Sequence, residues 1–163
     1  MFVIAPLHLA QAGADLPELR SRNEHALAII VNLSNPLENV SLIELRQIFL
    51  GQRDYWPNKH RVAIAMLEDG QPEREAALRQ IYRMDESDYQ AHFLKEVYRD
   101  EVFKSPKTLA SPAIMRKFVF NAPGAIGYVR LSDVDGSVKV LRIDGRLPDD
   151  KDYPLQIDAR PVK

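Results

Sequence analysis

The chain has no cysteine. Disulfides, thiolate metal sites and cysteine nucleophiles are therefore excluded. It also lacks an excess of either charge: 22 Lys and Arg stand against 23 Asp and Glu. A nucleic-acid partner normally requires a basic patch, so none is expected. Near-neutrality likewise gives no field to steer an anionic solute. No apolar run approaches the ~20 residues of a membrane span, so the chain is not expected to be membrane-embedded. Local signatures of catalysis are missing too. There is no nucleophile elbow, no Gly-rich phosphate loop and no HExxH pair. The expectation is a non-enzymatic protein without a cofactor or metal. What is present is 163 residues, 45% of them hydrophobic, enough for one soluble domain with a proper core.

Three segments are read from the pattern. Residues 1–25 are an N-terminal arm or signal-peptide remnant, 26–145 an α/β domain, and 146–163 a Pro-rich polar tail. The N-terminus MFVIAPLHLAQAGA carries a short apolar run and an A-x-A pattern at Ala10-Gln11-Ala12. Its first arginine is Arg20, so the positive n-region of a signal is missing, and Pro6 interrupts the run. A clipped secretory signal and an apolar arm packed on the domain both fit.

Ala26 to Asn32 (ALAIIVN) is a continuous apolar run of strand length, as in a sheet buried on both faces. Asn35-Pro36 breaks it. Ser41 and Glu44 form a capping box, so a helix starts there, with Leu42, Leu45, Ile48 and Phe49 on one face and Gly51 at its end. Arg61 to Leu67 is a second buried strand. Pro72 opens a helix to about Arg83. Asp85 or Ser87 opens another, with Tyr89, Phe93 and Val97 aligned. Ser111-Pro112 starts a helix that turns Ile114, Met115, Phe118 and Val119 inward. Ala125–Leu131 and Ser137–Ile143 are read as strands of a hairpin joined through Asp135-Gly136. The tail shows a weak alternation at Leu155, Ile157 and Ala159. Helices on a mixed sheet follow from this order.

Asn32 with Asn35-Pro36, the helix LIELRQIFLG, Trp56, and PGAIGYV at Pro123 to Val129 recur together in one family. On these residues the chain resembles the PstS-like phosphate ABC transporter substrate-binding proteins. The resemblance implies a single lobe of a type II periplasmic binding protein fold, a mixed sheet flanked by helices. It implies solute binding in the cell envelope and a periplasmic or secreted location. Full-length members hold solute between two lobes, and this chain has one lobe's worth of sequence.

The ligand loop departs from the family. The family runs from a strand into an arginine, then a Gly-Ser-Gly-Thr-type turn that cradles phosphate at a helix start. Here Leu67 falls where the arginine belongs. Gly70 keeps the turn, and Gln71, Pro72 and Glu73 replace Ser, Gly and Thr. Pro72 removes one N–H donor. Glu68, Asp69, Glu73 and Glu75 surround the site, with Arg74 as the cation nearby in sequence. At ~5 Å and an effective dielectric near 20, each like-charge contact costs roughly 3 kcal/mol. The expected contacts to a ligand are Asn32, Ser34, Ser41, Gly70, Gln71, Glu73 and Arg74. The expected partner is a small solute other than phosphate. The alternatives are a protein partner or a second copy, as a homodimer, on the old cleft face, and genuine phosphate transport.

Other constellations point to ordinary structure. Asp88, His92 and Glu96 share a helix face, which reads as a solvated stripe rather than a metal site. Asp133 to Ser137 begins like a calcium loop, but Asp144 stands where a glutamate is needed. Trp56 reads as a structural aromatic.

Overall fold

The computed structural model describes residues 24–98 and 105–158. The expectation for the N-terminal arm therefore falls almost wholly outside the described residues. So do Ala159 and the side chain of Val97.

Strand β1 (Leu27–Val31) is buried along its whole length. Its uninterrupted aliphatic sequence allows this, because neither face must meet water. The remaining strands are β2 (Asn39–Val40), β3 (Ala63–Leu67), β4 (Lys107–Leu109), β5 (Ala125–Arg130), β6 (Lys139–Val140) and β7 (Arg142–Ile143). The main sheet runs β4-β3-β5-β1-β6, and β2 pairs with β7 apart from it. Strand β3 is parallel to β4 and β5, whereas β1 is antiparallel to β5 and β6. The sheet is thus mixed, as expected.

The hairpin is not formed. Strand β1 lies between β5 and β6. Both edges of β5 are already occupied by β1 and β3, so β6 has no edge there to join. It pairs instead with the outer edge of β1, whose buried backbone groups need partners. The rest of the second predicted strand leaves this sheet as β7.

Helix α1 (Leu42–Phe49) begins at Ser41, with the full capping box to Glu44. It buries Leu45, Ile48 and Phe49. It ends in a Schellman motif, in which Gly51 N–H donates to the Ile48 carbonyl and Gln52 N–H to that of Gln47. Helix α2 (Pro72–Ala77) continues as a π-helical turn (Leu78–Tyr82) and stops at Arg83, which sits at φ 54°. Helix α3 (Glu86–Tyr98) follows, and the Asp85 carboxylate accepts from Asp88 N–H at its start. Helix α4 (Pro112–Asn121) is capped by Ser111 and buries Met115 and Val119. Ile114 was expected inward but is exposed. The helix meets the sheet through the Met115–Val119 line, and Ile114 lies one position around from it.

Two glycines of the PGAIGYV stretch are explained by packing. A Cβ on Gly124 would stand 1.7 Å from the Arg61 carbonyl oxygen, and one on Gly127 2.4 Å from Met115 Sδ. The Gly124 carbonyl also accepts from Trp56 Nε1 (2.9 Å) and Ala63 N–H. Trp56 is buried, so its structural role is as expected. After Gly145, Tyr153, Leu155 and Ile157 are buried. Tyr153 Oη donates to the Leu27 carbonyl at 2.8 Å, which holds this stretch against the start of β1.

Candidate functional site

The expected contacts occupy opposite ends of the sheet. Val31 pairs with Ile126, and Ile126 with Ile64. Asn32 therefore lies at the end where β3 begins, while Gly70 follows the end where β3 stops. Continuing that register places Leu67 beside Val129, about 13 Å of strand rise from the level of Asn32.

At the first end, the Asn32 side chain is fully engaged. Its Nδ2 donates to the carbonyls of Val119 and Phe120, both at 2.9 Å, which satisfies the C-terminus of α4. Its Oδ1 accepts from Ser34 N–H (3.0 Å) and Ser34 Oγ (2.7 Å). Ser34 and Asn32 thus form one clip between β1 and α4. Ser41 is occupied as well. Its Oγ accepts from Glu44 N–H, its own N–H donates to Glu44 Oε2, and the next N–H, of Leu42, donates to Asp144 Oδ1. The start of α1 is therefore supplied with carboxylates from the chain itself. Asp144 serves this helix rather than a calcium loop. Asp135, the central acid of that segment, accepts from Ser137 N–H and pairs with Arg116.

The second end holds Gly70, Gln71, Glu73 and Arg74 together. Gly70 turns the chain at φ 85°. Gln71 Nε2 donates to the Ala110 carbonyl at 3.2 Å. Arg74 is buried, with 5% of its surface exposed. Its Nε and Nη2 donate to the two Glu86 oxygens at 3.0 and 2.6 Å, and its Nη1 donates to the Leu67 carbonyl at 2.8 Å. Its guanidinium carbon lies 5.0 Å from the centre of the Tyr89 ring. The Arg74 hydrogen bonds hold the Glu86 carboxyl below its usual pKa, against the opposing effect of burial. The peptide of Leu67 is gripped from both sides, because its N–H donates to Tyr128 Oη at 3.1 Å. Burial pushes the Tyr89 phenol up to about 12 and that of Tyr128 further, so both stay neutral.

The picture of Arg74 as the one cation among acids needs correcting. Glu73 is buried and paired with Arg130, whose Nε and Nη2 both lie 2.9 Å from Glu73 Oε1. Sequence reasoning missed both Arg130 and Glu86. Arg130 directly follows the PGAIGYV stretch, but nothing local marks it as the partner of a residue 57 positions away.

Beside this network is a cavity of about 590 Å3. It lies between the turn after β3, the outer side of α2 with its π-helical turn, and the start of α3. Asp69, Glu75, Asp85 and Glu86 line it, with Arg79 and Arg83. Leu78 and Met84 supply an apolar surface. Arg79 already pairs with Asp158 at 3.4 Å. Among the described residues, no group of three His, Asp or Glu is arranged to hold a metal ion, the Asp88–His92–Glu96 face included.

No protein-family model matches the chain. Solved structures do. The chain superposes on an ABC-type phosphate transport receptor from Vibrio cholerae with a TM-score of 0.57 and 22% identity, over 76% of this chain and 48% of that one. The fold is shared with about half of that receptor. PstS from Borrelia burgdorferi gives a TM-score of 0.58 at 11% identity, over 82% of this chain and 55% of that one. A Clostridium perfringens structure of the ABC-transporter substrate-binding kind, with bound phosphate, gives 0.61 at 20%, over 74% and 46%. The expected PstS-like α/β architecture is therefore present, and the chain spans about half the length of the structures it matches. No helix among the described residues is long and apolar enough to cross a membrane.

Proposed function

We propose that this chain is a non-enzymatic binding domain of the cell envelope, periplasmic or secreted, whose site has diverged from phosphate toward a different small solute. The state of Arg74 carries this reading. An anion seat at a helix start relies on free N–H groups and cations that are not yet neutralised. Here the charge of Arg74 is matched by Glu86 and that of Arg130 by Glu73. Pro72, the first residue of α2, has no N–H. The groups left open around the neighbouring cavity are mainly carboxylates, which disfavour a phosphate and suit a neutral or cationic ligand.

A protein partner or a second copy is the other reading. It calls for an exposed apolar patch on the old cleft face. The exposed large apolar side chains among the described residues fall on separate elements: Leu33 and Phe120 flank the Asn32 clip, at the far end of the sheet from Gly70, while Ile114 at the start of α4 and Leu94 on α3 come from two different helices. Solute binding is therefore preferred. It is tested by thermal unfolding of the purified protein against a panel of small anions, zwitterions, neutral solutes and cations. A non-anionic solute should raise the melting temperature while phosphate does not. Stabilisation by phosphate would favour a genuine transport component instead. A flat response across the panel would favour the protein-partner reading.

A further inference from the structure

We infer that the cavity beside α2 takes a small organic cation, an ammonium or guanidinium carried on a short apolar stem. This rests on the solute-binding reading above and assigns its ligand class. The volume of about 590 Å3 is within the range of small-molecule sites. Its charges are not equivalent. The Glu86 carboxylate is neutralised from behind by Arg74, and Arg79 is drawn to Asp158. Among the described residues that line it, Asp69, Glu75 and Asp85 then share the cavity with one uncommitted guanidinium, that of Arg83.

The side chains of Asp69 and Glu75 make no hydrogen bond or ion pair with any other described residue. Asp85 uses one oxygen to cap α3, which leaves the other for a ligand. A cation entering here would gain charge-assisted hydrogen bonds without displacing an existing partner. Leu78 and Met84 give its stem an apolar surface, and the unbranched Met84 can adjust to different stems. An anion would meet the three open carboxylates. It could reach Arg74 only by expelling Glu86 from a two-point contact.

The test is calorimetric titration of the full chain with agmatine and with 1,4-diaminobutane, each beside inorganic phosphate. At least one amine should give saturable heat, and phosphate none. The double variant Asp69→Asn, Glu75→Gln should weaken amine binding about tenfold or more, the usual effect of losing a hydrogen bond to a charged group. Arg83→Gln should strengthen it. Both sets of changes lie at the surface, and unchanged melting temperatures would show that the variants fold. Amine binding indifferent to the double variant would overturn the cavity assignment. Failure of both amines, with stabilisation by a neutral or zwitterionic solute, would overturn the cation class while leaving the solute-binding reading intact. Failure of every solute would overturn both.

Discussion

Glu86→Gln isolates the interaction that sets the character of the site. The substitution keeps shape and one acceptor oxygen but removes the charge that faces Arg74. Arg74 is only 6% exposed at its side chain, while Glu86 keeps 29%. Stripping one partner from a buried pair costs about 3–5 kcal/mol. The partial exposure of Glu86 and the retained oxygen reduce this to about 2 kcal/mol. In a domain of this size that lowers the melting temperature by about 4–8 °C. The effect must also depend on pH. The folded pKa of Glu86 is depressed below 4.5, with its hydrogen bonds to Arg74 as the largest cause. Its contribution is therefore fully present above that value and is lost as pH falls through the lower folded pKa. Thermal unfolding followed by circular dichroism, at pH 7 and along a series down to pH 3, reads both features. Wild type and variant should differ at pH 7 and converge in acid. A change under about 1 °C at neutral pH, or a gap that persists unchanged in acid, would refute the pairing as a stabilising device.

Three further outcomes follow from the packing. Asn32→Ala should destabilise by about 2–3 kcal/mol, because it strands two carbonyls at the end of α4, and solute affinity should not change; a denaturant titration and a binding titration on the same variant check both halves. Gly124→Ala should be worse than Gly127→Ala: a Cβ at 124 strikes a backbone carbonyl, costing on the order of 3 kcal/mol or more, whereas one at 127 meets the movable end of Met115, about 1–3 kcal/mol. Equal midpoints for the two variants in urea would contradict this. Trp56 is the one tryptophan and is buried, so its emission should be blue-shifted in the native state and move red on unfolding. Trp56→Phe should cost about 1–2 kcal/mol through loss of the bond to Gly124.

Much of the fold was legible because it rests on local patterns. The apolar run of β1 and the Ser41–Glu44 box each describe their own surroundings. What stayed hidden depended on distant parts of the chain. Whether β6 joins β5 or β1 depends on which edges β3 has already filled, and no hydrophobic pattern reports that. The same holds for the site. Acids clustered after Leu67 were visible, but the pairing of Glu73 with Arg130 and of Arg74 with Glu86 exists only once the sheet and α3 are in place. The residues that carried the family resemblance turn out to shape the fold. Asn32 closes a helix, Trp56 bonds the Gly124 carbonyl, and Gly124 and Gly127 admit close neighbours. Such residues report on packing, so they pointed correctly to the architecture and carry no information about a ligand.

The most direct measurement is a calorimetric titration of the wild-type chain with inorganic phosphate at millimolar concentration. A matched Arg74 and an acidic cavity predict no saturable heat and no change in melting temperature. Saturable binding with a stabilisation of about 2.7 kcal/mol at a hundredfold excess over Kd would contradict the account and restore phosphate as the ligand.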